Sequence, residues 1–147
     1  MSQPFYEKTE GLRFACTRCG NCCTRPGPVF FTGGDLQRAA AFLNTTPEAF
    51  RREYRVTRVE GEEAIPGRDD APCVFYDGSV GCTIYEGRPT QCRTWPFWPE
   101  IVRRGRSWNR AARNCPGMNR GPLHSPETIR DSLDACEEAG LPQGEPW

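Results

Sequence analysis

Lysine is nearly missing from this chain: Lys8 is the only one among 19 basic residues, and His124 is the only histidine. Without a second imidazole, the common zinc hydrolase constellations have no material to form from. Core formers are scarce as well, with Leu, Ile, Val and Phe together numbering 24 of 147 residues. So low a level accompanies disorder when net charge is high, but here 19 acidic residues balance the basic ones. No uninterrupted apolar run approaches the roughly 20 residues that span a bilayer, so no membrane partner is expected. The opening stretch MSQPFYEKTEGLRF lacks a basic segment followed by an apolar one, so no secretory signal is expected and the reading is cytoplasmic. No repeat, low-complexity tract or long linker interrupts the chain, and residues 1–147 read as one domain.

Fourteen prolines, fifteen glycines and nine cysteines are what the chain has in quantity. Long helices have little room in such a composition. The expectation is a small, loop-rich α+β fold with short helices and a β-hairpin, stabilised by metal where burial falls short. In VFFTGGDLQRAAAFLN, Leu36, Ala39, Ala40 and Leu43 recur at helical spacing. In TTPEAFRREY, Thr46 precedes Pro47 as a capping hydroxyl before a first-turn proline, with Ala49, Phe50 and Tyr54 on one face. RVTRVEGEEAI alternates as a strand around Val56 and Val59. CVFYDGSVGCTIY reads as a hairpin, with Asp77-Gly78 supplying positive φ angles for a tight turn. A further strand is expected in EIVRRGRSW. SPETIRDSLDACEEAG has Ser125 as N-cap, Pro126 at the first position, Ile129, Leu133 and Cys136 on one stripe, and Gly140 as stop.

In a reducing setting, dense cysteines are metal ligands or redox groups more often than disulfides, and the odd total fits a closed disulfide framework poorly. The segment FACTRCGNCC holds Cys16, Cys19, Cys22 and Cys23 at the spacing C-x2-C-x2-C-C. A C-x2-C pair lets two sulfurs converge on one ion, and Gly20 suits the tight turn whose backbone N–H groups point at sulfur. The three-thiol run resembles the start of a bacterial ferredoxin motif, with Cys115-Pro116 fitting its last position from a distance. In extended backbone, Cys22 and Cys23 point to opposite sides and do not readily grip one ion. With Cys73, Cys82, Cys92 and Cys115 there are eight candidate ligands, enough for two four-coordinate sites, or for one site plus buried or redox-active thiols. Cys136 lies on an apolar stripe as a small hydrophobe. His124, just ahead of a helix cap, reads as a solvated loop side chain. A tetrathiolate zinc site supplies an apparent ~10–16 kcal/mol in small peptides, against about 5–15 kcal/mol of net stability for a typical domain. The metal-free chain is therefore expected to be largely unfolded or molten.

CTRCGNCC, followed after a variable middle by CTIYEGRPTQCRTWP and then by PFWPE and CPG, resembles the YkgJ-like cysteine-cluster proteins, a zinc- or iron-chelating family. The resemblance runs between Phe14 and Gly117. It implies a metal-chelating cysteine domain and carries to Cys16, Cys19, Cys22, Cys23, Cys82 and Cys92 by motif, and less directly to Cys73 and Cys115. A similar module accompanies flagellin lysine methylases, but this chain shows no Gly-rich cofactor loop and is short for an added methyltransferase domain.

Within the motif, Tyr85, Arg88, Pro89 and Arg93 read as a turn into a short helix with Pro89 at its first position. The arginines either donate to thiolate sulfur and offset its charge or pair with Glu86 or Glu100. Trp95, Phe97 and Trp98 read as an aromatic lid over the metal region. From Ile101 to Pro126 there are six arginines and no acid, read as a solvated basic face; no nucleic-acid partner is expected, because no recognised motif accompanies the run. The functional reading is a cytoplasmic protein binding zinc or an iron–sulfur cluster, with metal ions and a protein as partners. A redox-silent zinc centre suits an interaction module; an iron–sulfur centre suits electron transfer. The competing reading is a thiol-disulfide enzyme, for which no βαβ pattern surrounds Cys16. No catalytic residue is assigned.

Overall fold

A computed structural model describes residues 4–17, 28–66 and 73–140. In chain order the elements are α1 (Phe5–Lys8), β1 (Leu12–Phe14), β2 (Val29–Phe30), α2 (Gly33–Phe42), α3 (Pro47–Glu53), β3 (Thr57–Val59), β4 (Glu62–Ile65), β5 (Tyr76–Asp77) and β6 (Gly81–Cys82). A 3-10 turn (Tyr85–Gly87) follows, then α4 (Thr90–Thr94), α5 (Pro99–Val102), α6 (Gly105–Ala112), β7 (Met118–His124) and α7 (Pro126–Glu138). Short helices with small antiparallel sheets make this a mixed α+β fold, as the composition requires. The described residues divide into two compact units, one of residues 4–17 and 94–138, the other of 28–66, 73–93 and 139–140.

The first unit is organised around β1 and β7, which pair antiparallel with Leu12 opposite His124 and Arg13 opposite Leu123. The register then jumps, so that Phe14 faces Met118. Its core gathers Tyr6, Leu12, Trp95, Phe97, Ile101, Val102, Trp108, Met118 and Ile129. Phe97 stacks on Trp108 with centroids 6.3 Å apart, and the Trp108 indole N–H donates to Asn119 Oδ1 at 2.9 Å. The residues read as an aromatic lid are thus interior: Trp95 and Phe97 are buried in this cluster, with Trp98 packed against it. Aromatic side chains contribute so much buried area that a core short of aliphatics recruits them.

The strand expected in EIVRRGRSW is instead two helices, α5 and α6. Extended Trp98 sits at the N-cap and Pro99 opens α5, where its missing N–H costs nothing. Trp108 and Ala111, three apart, face the core while Arg106 and Arg110 are exposed. That spacing has the period of a helix. Helix α7 follows its expected pattern: Ser125 Oγ accepts the Thr128 N–H at 3.2 Å, Ile129 and Cys136 are buried, and Leu133 packs on the core.

The second unit has its own core of Phe31, Leu36, Ala39, Ala40, Phe50, Phe75 and Ile84. Helix α2 opens with a reciprocal capping box: Thr32 Oγ1 accepts from the Asp35 N–H, and Asp35 accepts from the Thr32 N–H, each at 3.0 Å. Helix α3 is capped by Thr46 Oγ1, which accepts from the Ala49 N–H at 3.1 Å. Phe50, fully buried, packs against Phe31, Tyr54 and Phe75. Where one strand was expected around Val56 and Val59, there is a hairpin of β3 and β4 with Val59 opposite Glu62. Glu60 and Gly61, both at positive φ (54° and 84°), form its two-residue turn. Strand β2 adds to the outer side of β4, giving the order β2-β4-β3.

The β5–β6 hairpin is present, but its turn differs from the expectation. Asp77 pairs with Gly81 across a three-residue loop, and the positive φ belongs to Gly81 (85°). Asp77 contributes through acceptors: its Oδ1 takes the Ser79 N–H at 2.7 Å and its carbonyl takes the Val80 N–H at 3.2 Å. A turn followed by a left-handed glycine is the usual solution for a three-residue hairpin loop.

Candidate metal centre

The eight candidate ligands divide by what is described. Cys19, Cys22 and Cys23 lie outside the described residues; Cys16, Cys73, Cys82, Cys92 and Cys115 lie within them.

In the first unit the chain runs on from β1 through Ala15 to Cys16. The Ala15 N–H donates to the carbonyl of Gly117 at 3.1 Å, across 102 residues of sequence. The approach is so close that a Cβ on Gly117 would stand 2.0 Å from the Ala15 oxygen, so only glycine fits. This contact sets Cys16, one residue after Ala15, on a segment facing Cys115, two residues before Gly117. Cys16 is exposed and Cys115 buried. Cys115 is itself held by a turn, its carbonyl accepting from the Met118 N–H at 3.1 Å. His124 also belongs here, contrary to its reading as a solvated loop residue: it lies in β7, half-buried, with Nε2 3.0 Å from the Phe14 carbonyl and its ring edge-on to Phe97. That bond occupies the imidazole with backbone.

In the second unit, Cys73 and Cys82 flank the β5–β6 hairpin. The Tyr76 N–H donates to the Cys73 carbonyl at 2.9 Å, and Tyr76 is the register partner of Cys82, so one residue ties both cysteines to the same end of the hairpin. Both are half-buried against the core. Cys92 stands in α4, which opens on Pro89: the Pro89 carbonyl accepts from the Cys92 and Arg93 N–H groups at 3.0 and 2.9 Å. Proline is therefore one residue ahead of the first helical position expected for it. Gln91, beside Cys92, accepts from the Phe30 N–H at 2.9 Å and donates to the Pro28 carbonyl at 3.4 Å. That double bond ties α4 to the chain five residues after Cys23.

Neither arginine of the motif pairs with Glu86 or Glu100. Arg88 Nε donates to the Tyr85 carbonyl at 2.7 Å, with its guanidinium 3.8 Å above the Tyr85 ring. Arg93 donates to the Arg88 carbonyl and to Thr90 Oγ1, and its acidic neighbour is Asp35 at 3.8 Å. Asp35 was not singled out from the sequence, although T-G-G-D is a capping-box pattern that marks it. Gln91 had no such local signal, because its partners lie some 60 residues away. Cys136 is buried as expected, its Sγ donating to Thr94 Oγ1 at 3.3 Å, and burial pushes its thiol pKa up.

Among the described residues, no three His, Cys, Asp or Glu side chains gather into a group that could hold a metal ion. The described cysteines, Cys16, Cys73, Cys82, Cys92 and Cys115, carry soft sulfur donors, the donor chemistry that zinc and iron take. A family model described as "CxxCxxCC: Putative zinc- or iron-chelating domain" matches residues 15–116. The chain belongs to this family. The CxxCxxCC match begins at Ala15 and ends at Pro116, the two segments that the Ala15–Gly117 bond draws together. No solved structure matches the chain. Among the described residues, no helix is long and apolar enough to cross a membrane.

Proposed function

We propose that residues 1–147 work as one cysteine-cluster domain in the cytoplasm, in which thiolates from Cys16, Cys19, Cys22, Cys23, Cys73, Cys82, Cys92 and Cys115 hold zinc or an iron–sulfur cluster. What supports this above all is the Ala15–Gly117 contact, which brings segments 102 residues apart to backbone hydrogen-bond distance, with a cysteine beside each. A close approach that forbids any side chain is costly to keep for packing alone. Beside two thiols, it has a use. When bound, zinc supplies a closed, redox-silent centre suited to engaging a protein partner, and an iron–sulfur cluster supplies a one-electron carrier.

The chain's own residues do the positioning. The hairpin presents Cys73 and Cys82 together, Gln91 fixes α4 and with it Cys92, and Gly117 admits Ala15. Protein purified without oxygen and analysed for metal and sulfide, with its absorption spectrum, tests the reading. A brown protein with iron and acid-labile sulfide identifies a cluster; a colourless one with stoichiometric zinc identifies zinc. Cys82→Ser then lowers metal content and thermal stability together. Metal-free protein with reactive, low-pKa thiols overturns the proposal in favour of thiol-disulfide chemistry.

A further inference from the structure

Two helices of the first unit carry opposite charge in matching patterns. In α6, Trp108 and Ala111 face the core, and the backbone stays helical at the C-cap Arg113 (φ -62°, ψ -26°). Arg106, Arg110 and Arg113 recur at i, i+4 and i+7 on the opposite side, all of them exposed. No acid occurs in this segment. In α7, Ile129 and Cys136 are buried, and Glu127, Asp131, Asp134 and Glu138 recur at i, i+4, i+7 and i+11 on the opposite side, again all exposed. The one base of α7, Arg130, is paired with Glu7 of α1 at 3.0 Å. Among the described residues, none of these seven stripe side chains has an ion-pair partner.

Taken alone, each helix loses stability by this arrangement. Like charges at i, i+3 and i, i+4 repel one another. The last turn of α7 also sets Glu137 and Glu138 beside the negative end of the helix dipole, with no base there to offset them. A face that only had to be wet would be served as well by mixed signs. A partner of opposite sign turns the repulsion into attraction.

The two stripes fit each other. Read from the C-terminal end, Glu138, Asp134 and Asp131 are spaced four and then three residues apart, as Arg106, Arg110 and Arg113 are from the N-terminal end. Laid antiparallel, the helices set Arg106 against Glu138, Arg110 against Asp134 and Arg113 against Asp131. The positive end of the α6 dipole then meets the negative end of α7. Both stripes point away from the core on which α6 and α7 pack, so each must find its partner on another molecule.

We propose that two copies of this chain associate, with α6 of each lying antiparallel on α7 of the other. Two-fold closure makes the same contact twice and leaves neither stripe unpaired. Exposed ion pairs are weak singly and count when they form a network, so the dimer is reversible and governed by salt.

Sedimentation velocity over a concentration series of the protein as purified tests this. Dimerisation is expected, weakened about tenfold or more as salt rises from about 0.01 M to 1 M, over which the Debye length falls from about 30 to 3 Å. Arg110→Glu and Asp134→Arg should each stay monomeric, because each sets like charges face to face. Mixing the two variants should restore a dimer, since every opposed pair is then again of opposite sign. Recovery in the mixture shows that both variants are folded. A parent that stays monomeric at low salt, a dimer indifferent to salt, single variants that dimerise like the parent, or a mixture that stays monomeric overturns the proposal. The inference does not rest on the thiolate reading, and metal content measured on the same samples reports on that reading separately.

Discussion

Replacing Gly117 by alanine is the sharpest perturbation available, because the obstruction is backbone and no side chain can swing aside. The added Cβ would lie 2.0 Å from the Ala15 oxygen and 3.0 Å from its carbonyl carbon, where ordinary contact begins near 3.4 Å. The β1 end must retreat by about 1.4 Å, the difference between 3.4 and 2.0 Å. At that separation the 3.1 Å Ala15–Gly117 hydrogen bond is lost, costing about 0.5–1.5 kcal/mol. Overpacking adds about 1–3 kcal/mol. The sum, about 1.5–4.5 kcal/mol, corresponds to a fall in Tm on the order of 10 °C for a chain of this size. Metal content should fall in parallel, because Cys16 moves with Ala15. Gly78→Ala is the control: a Cβ there meets nothing within 4 Å, so Tm and metal content should stay near the parent values. Thermal unfolding with elemental analysis of the same samples gives both readouts. A Gly117→Ala protein that melts and binds metal like the parent would refute both the clash argument and the part given to this contact in bringing the two cysteines together.

Other outcomes follow from the same reasoning. Cys136→Ala should keep full metal content and cost only about 1 kcal/mol, because Cys136 packs in the interior beside Thr94; metal loss comparable to that of Cys82→Ser would contradict this. Burial raises the Glu100 pKa, opposed by its backbone hydrogen bond and by Arg103, so the native state holds that proton more tightly than the unfolded chain. Its stabilising contribution is present below 4.5 and lost as pH rises through the raised native value. Glu100→Gln should therefore melt above the parent at pH 7, with the two curves converging on acidification; a gap independent of pH would exclude the mechanism. At the β3–β4 turn, Glu60 adopts a φ of 54° that asparagine tolerates better. Glu60→Asn should add about 0.5–1 kcal/mol by denaturant unfolding, and a destabilised variant would show that Glu60 makes contacts beyond its turn.

Whatever could be read within about four residues of a position was legible in the amino-acid order. Thr46-Pro47 and Ser125-Pro126 announced two helices, the spacing of Leu36, Ala39 and Ala40 announced a third, and the two β-prone runs about Asp77 announced a hairpin, since caps and periodicity act locally. Errors arose where local signals competed. EIVRRGRSW looked extended until Pro99 and the Trp108–Ala111 spacing placed it in two helices, and Asp77-Gly78 looked like the turn centre although Gly81 holds the positive φ. The eight cysteines of the candidate centre, and the α+β class, followed from residue type and order alone. Tertiary structure alone decided that Ala15 lies against Gly117, that Gln91 ties α4 to the strand after the cluster, that Trp95 and Phe97 are buried in the core that also holds Cys115, and that Arg38 and Arg93 lie beside the buried Asp35 carboxylate. Those contacts join residues tens of positions apart, and their energies come from packing and shared polar partners that no local stretch of sequence contains.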